Sequence, residues 1–285
     1  MKSKLIDIDS LISQANELTA LPQSTMKLAA LVGAKADNVT EVADVVAFDP
    51  ALTFKLIRAA NSAFASRSEP VTTVRDAVER LGTAQVFSLA VASSVRPHMQ
   101  KNLKEYGFSE GEYWRHSVSA AVAVEVSQPH CKITIPAEAF TAALLHDIGK
   151  LIMAQFLKPE ILELLKQVRE GGGLSPLEAE TRVLQVHHGE LGGIIAQHWE
   201  FPPQVVKGII FHHQPELGLD PICDVVYMAN LGAKRILAAI AGKELELAPS
   251  EDAMERLEMT TEGFDALITA GVERFEQVRT RYNVK

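Results

Sequence analysis

The residues best equipped for chemistry in this chain are its histidines. Six of the nine fall in four places: His116 in EYWRHSVSAA, His146 in LLHDIGK, the pair opening HHGELGG that includes His188, and His212-His213 before Gln214-Pro215. Asp147 follows His146 directly. Imidazoles and one carboxylate carried on different helices form a donor set with which a helix bundle can hold a divalent cation, and His146-Asp147 would be the middle of such a site. Adjacent residues on a helix point about 100° apart, so both reach one ion only near a helix end. Gly149, two residues on, is consistent with an end there. A carboxylate on the apolar stretch LLHD is costly to bury unless a metal, a histidine or Lys150 meets it. The competing reading is that each histidine serves its own helix, capping carbonyls and facing the macrodipole, as His212 and His213 before Pro215 could. For a single residue that reading is the better one; for the set, the metal is.

The elements that must position these side chains read as helices almost throughout, because apolar residues recur at three and four and the segments carry helix punctuation. Asp49-Pro50 opens ALTFKLIRAAN with a side-chain acceptor and a proline at the first position. Thr73 with Asp76, Ser109 with Glu112, and Ser175 with Glu178 have capping-box spacing. Gly33, Gly82 and Gly171 to Gly173 read as stops, and Pro203 and Pro215 bracket a short helix ending in His212-His213. The expected fold class is all-α, with short loops and antiparallel neighbours. It divides into an N-terminal helix at 1–20, a helical half at 21–100, a histidine-bearing half at 110–235 and closing helices at 236–285. Trp114 and Trp199 are expected in the core, and Arg58 and Asn61 on an exposed face.

Composition narrows the function classes. The chain has 285 residues, 47% hydrophobic and 22% charged, with a formal charge of −8 and no basic run to track a phosphate backbone, so nucleic acid is disfavoured. Cys131 and Cys223 stand far apart, without the spacing of a zinc ribbon or a disulfide framework, which fits a reducing cytoplasm. Asp7, Asp9 and Glu17 interrupt the start where a signal peptide would be apolar, and the longest uncharged window, Leu81 to Val95, is too short and polar to span a bilayer. A cytoplasmic protein without a membrane segment is expected.

LLHDIGK resembles the signature of the HD superfamily of metal-dependent phosphohydrolases. The segments LPQSTMKLAALV, VAFDPALTFKLIRAANSAF and PVTTVRDAVERLGTAQVFSLAVASSV resemble its HDOD branch, the HD-related output domain of bacterial signalling proteins. So do YWRHSVSAA, HHGELGGIIAQHWEFPPQVVKGIIFHHQP and DVVYMANLGAK, and the likeness runs from Leu21 to Lys234. The resemblance implies an HD-like bundle whose metal ligands would be His116, His146, Asp147, His188, His212 and His213. Asn230 stands where a catalytic relative would place an aspartate, offering a carbonyl oxygen without charge. Neutral imidazoles suit a divalent transition metal (iron, zinc, manganese or nickel, as one or two ions) better than magnesium. Asp224 is six residues before Asn230 and lies on a different side of a continuous helix, a poor substitute.

Two functions follow from the resemblance. One is a signalling output or regulatory module, with signalling proteins as partners, self-association into a homo-oligomer, and a metal-binding or vestigial site. The alternative is a metal-dependent phosphohydrolase for a nucleotide or phosphoester, in which Asp147 and Lys150 would be catalytic and Lys150 would meet the substrate phosphate. The GYP element of cyclic di-GMP phosphodiesterases is replaced by HHQPELGLD, so that substrate is not supported. A scaffold with an empty pocket is the third reading.

Overall fold

The computed structural model describes residues 21–34, 38–63, 71–99, 103, 106 and 108–282; the helix expected at 1–20 lies outside them. Among the described residues the chain is all-α, extended pairing being confined to an isolated bridge between Leu103 and Phe108. It forms two compact units, one of residues 21–97 with 197–203 and one of residues 98–196 with 204–285. No helix among the described residues is long and apolar enough to cross a membrane.

The first unit holds α1 (Gln23–Gly33), α2 (Val39–Ala47), α3 (Pro50–Ala63), α4 (Val74–Leu81) and α5 (Thr83–Met99). Side chains start these helices where the spacing predicts. Asp49 accepts from Leu52 N–H at 3.0 Å and Thr73 from Asp76 N–H at 3.1 Å, and Asn38, which the sequence reading does not single out, accepts through its side-chain carbonyl from Glu41 N–H at 3.2 Å. Leu28, Val42, Val46, Leu56, Val78, Val86 and Phe87 form the core, where Phe87 meets Phe201 edge-on with ring centroids 5.2 Å apart. Asn61 corrects the expectation of an exposed face. Its amide donates to Val71 C=O at 2.8 Å and its carbonyl accepts from Val71 N–H at 2.7 Å, giving an isolated backbone residue both of its hydrogen bonds.

Asp49 also accepts from the Ser24 hydroxyl at 2.7 Å, and its carboxyl is held below its ordinary value by the Leu52 N–H first and by Ser24 second. A group depressed in the folded state adds stability above the unfolded-chain pKa and loses it as pH falls through the folded value. Asp49→Ala should therefore cost about 1 kcal/mol near neutral pH and progressively less in acid. Urea titrations of both proteins at the two conditions check this.

The second unit contains α6 (Glu112–Glu125), α7 (Ala139–Leu145), α8 (Ile148–Phe156), α9 (Pro159–Gly172), α10 (Pro176–Leu184), α11 (His188–His198), α12 (Pro203–Phe211) and the short α13 (Pro215–Gly218). It is completed by α14 (Pro221–Ile240), α15 (Glu251–Arg256) and α16 (Thr261–Tyr282). Helix α6 is its axis: Tyr113, Trp114 and everything from His116 to Val124 are buried, the pattern of a helix enclosed on all sides. Helices α7, α14 and α16 pack on it. The capping box at Ser175 and Glu178 forms as expected. The one at Ser109 does not, because α6 starts behind Gly111 at φ 77° with no side-chain cap; only Glu112 acts, accepting from Ser109 N–H at 2.6 Å. Asp224 is occupied elsewhere, gripped by the Arg256 guanidinium at 2.7 and 2.9 Å, which ties α15 to α14. Both cysteines are free and buried.

Candidate metal centre

Four places in the sequence converge inside the second unit. His116 enters from the first turns of α6. His146 and Asp147 occupy the junction between α7, which ends at Leu145, and α8, which starts at Ile148. His146 keeps helical dihedrals, while Asp147 at φ −96°, ψ 5° breaks the helix, so two adjacent side chains can both turn inward. His188 opens α11, and His212 and His213 follow the last residue of α12.

Gly149 is not the helix end that its position suggests; the break is at Asp147, and Gly149 lies inside α8. Its role is proximity. A Cβ there would overlap the carbonyl oxygen of His188, so only a glycine lets α8 approach the start of α11 closely enough to bring His188 to Asp147.

Asp147 is the hub. Its Oδ2 lies 3.4 Å from His146 Nε2 and 3.6 Å from His116 Nε2, while its Oδ1 lies 3.3 Å from His188 Nε2 and 3.5 Å from His212 Nε2. His213 Nε2 is 3.0 Å from His188 Nε2. The donor atoms form two sets that share Asp147, one with His188, His212 and His213 and one with His116 and His146. His146, Asp147 and His212 have no exposure to solvent.

Hydrogen bonds on the far side of three rings fix which nitrogen faces inward. His146 Nδ1 lies 2.7 Å from Ala143 C=O, and His212 Nδ1 lies 2.7 Å from Ile209 C=O. Carbonyls only accept, so both Nδ1 atoms carry the proton and each neutral ring presents an Nε2 lone pair to the interior. His188 does the same through its Nδ1, 2.6 Å from the Glu180 carboxylate. Capping and metal binding are thus two ends of one ring: the cap aims the ligand. His188 Nε2 and His212 Nε2 consequently stand 3.3 Å apart as two acceptors, and Asp147 Oδ1 makes no hydrogen bond in a fully buried site. Lone pairs held face to face around a buried carboxylate oxygen repel unless a cation lies among them, and this donor set fits a transition metal.

Burial keeps His116, His212 and His213 neutral. Burial, with the charge of neighbouring rings adding to it, pushes His116 well below its ordinary value and His212 down to about 3; His213 is pushed down by the same causes. His188 goes the other way: burial opposes its charge most strongly, but the charge and hydrogen bond of Glu180, with Asp147 beside the ring, together outweigh it. Burial opposes ionisation of Asp147, but His146 and Lys150 override it and hold the carboxyl well below the usual range.

The sequence-predicted residues sort clearly. His116, His146, Asp147, His188, His212 and His213 meet. Lys150 reaches the same place as a partner of Asp147, its Nζ 2.7 Å from Oδ2. Asn230 is buried on α14, with no hydrogen bond to its Oδ1. His187 serves its own helix, its ring accepting from Gly189 N–H at 3.1 Å. Glu180 was not anticipated. Its available signal is a carboxylate at the spacing of Leu184 on the buried face of α10.

A sequence profile of the HDOD domain matches residues 18–215. The chain belongs to the HDOD family. Among solved structures, this HDOD chain is similar to a Shewanella amazonensis protein that carries a provisional phosphohydrolase name, with 26% identity, a TM-score of 0.61 and coverage of 92% of this chain and 98% of the other. A Marinobacter aquaeolei protein, provisionally named for signal transduction, has a TM-score of 0.67 at 20% identity, covering 97% and 64%. An HDOD domain protein of unknown function from Geobacter sulfurreducens has 0.59 at 20%, covering 94% and 90%. The latter two likenesses show the fold. An uncharacterized protein of Treponema pallidum is 25% identical over 226 residues, 77% of this chain and 43% of the relative, so the chain spans less than half of that protein's length.

Proposed function

We propose that this HDOD chain is a bacterial signalling output module built around a transition-metal centre held by His116, His146, Asp147, His188, His212 and His213. The observation that carries the reading is the inward Nε2 atoms of His146, His188 and His212, each fixed by an outward Nδ1–H bond, around a carboxylate oxygen without a hydrogen bond. Because the two oxygens of Asp147 face different imidazoles, the donor set suits one ion or two. A divalent cation bound there would supply Lewis acidity toward a phosphoryl oxygen. The chain's own residues favour a module over an enzyme. Lys150 is engaged by Asp147, and the uncharged Asn230 stands where a catalytic relative would close the site with an aspartate.

One observation favours the phosphohydrolase as a second reading. An open cleft of about 480 Å³ reaches His116 and is lined by Arg115, Lys234 and Arg279, with Glu112 as its one carboxylate. Arg115 pairs with Glu112 and Arg279 with Glu276, so Lys234 is the lining cation without an ion pair among the described residues and the one placed to meet a phosphate or another anion. A phosphoester screen of the metal-loaded protein separates the readings. The module predicts retained metal and no turnover; turnover that disappears in Asp147→Asn would make it an enzyme.

A further inference from the structure

Glu180 is a buried carboxylate, 1% exposed, that forms no ion pair with a lysine or arginine among the described residues; it pairs with His188. A single oxygen, Oε2, accepts both from His188 N–H at 2.7 Å and from His188 Nδ1 at 2.6 Å. The other, Oε1, is buried without a hydrogen bond. Burying a carboxylate this way is costly unless charge elsewhere compensates it. His188 alone of the three fixed rings donates to an anion; His146 and His212 donate to neutral carbonyls.

The charges of the centre show what this anion compensates. With a divalent ion on their Nε2 atoms the imidazoles are neutral and contribute nothing, Asp147 contributes one negative charge, and the Lys150 ammonium 2.7 Å away offsets that one. Asn230 adds none. Facing a divalent ion, the inner set is therefore short of negative charge, and Glu180 stands one ring behind it.

We propose that Glu180 is the positioning residue of the metal centre, locking His188 with Nε2 inward and supplying through that ring the negative charge that the direct ligands lack. This rests on the metal reading above. A carboxylate behind a ligating histidine raises the ring's basicity and fixes its orientation. The carboxylate belongs to α10, so His188 is clamped by an element that contributes no ligand of its own.

Glu180→Gln keeps an oxygen able to accept both His188 bonds and removes only the charge. With Co²⁺ as the probe, competition against a chelator should show affinity about 10–100-fold weaker than wild type. The visible cobalt spectrum should change, while the unfolding midpoint of the metal-stripped protein stays near the wild-type value. A variant that binds Co²⁺ as wild type does, with the same spectrum, overturns the proposal and leaves the metal reading standing; a wild-type protein that takes up no Co²⁺ removes both. Nitrogen-15 NMR of histidine-labelled, metal-stripped wild-type protein tests the clamp without any variant. His188 protonated on Nδ1 supports it, and protonation on Nε2 alone overturns it.

Discussion

Asp147→Asn is expected to leave the protein unable to keep its metal through dialysis, with affinity reduced by more than the roughly 100-fold upper range for a residue behind a ligand. The substitution preserves shape and removes charge at the point where two imidazoles approach each oxygen, at 3.4 and 3.6 Å on one side and 3.3 and 3.5 Å on the other. It also leaves Lys150 facing a neutral amide in a site from which water is excluded. A ligand that binds only the folded state stabilises by about 4 kcal/mol at a thousandfold excess over its Kd, so wild type should gain several degrees of Tm when metal is added. The variant should gain almost nothing. A full metal-dependent shift in Asp147→Asn would remove this residue from the centre.

Gly149→Ala is the second large effect, and it acts through backbone alone. The new Cβ would overlap the carbonyl oxygen of His188 and come within 2.7 Å of its carbonyl carbon. No side chain can rotate away, so α8 and the start of α11 must separate, at a cost of about 1–3 kcal/mol for overpacking, and His188 must retreat from Asp147. Both stability in urea and Co²⁺ affinity should fall. Gly171→Ala is the control: it lies in α9 with nothing within 4 Å of its would-be Cβ, so it should be neutral or stabilise by about 0.4–1 kcal/mol. Equal behaviour of the two variants would contradict the proximity role given to Gly149.

What could be read before the structure depended on how local the cause was. Helix starts at Asp49, Thr73 and Ser175 follow from a side chain acting on a backbone group three residues on, which spacing alone exposes. The histidines were conspicuous because their residue type has so few roles, but their convergence depends on how α6, α7, α11 and α12 pack. Glu180 is hidden in a helix that looks ordinary: the helix opens with a capping box, and the acid of that box, the exposed Glu178, stands two residues before it. Asn61 gives no local signal of its role, because its partner is the backbone of Val71, ten residues away. Gly149 has the look of punctuation, but its constraint is the His188 carbonyl across the interior. In each of these cases the deciding partner belongs to another segment.

Elemental analysis of wild-type protein purified without chelators tests the central claim most directly. The account predicts about one or two equivalents of a transition metal per chain, lost on chelation and restored by adding it back. Metal-free protein that also fails to take up zinc, iron, manganese or nickel would contradict it.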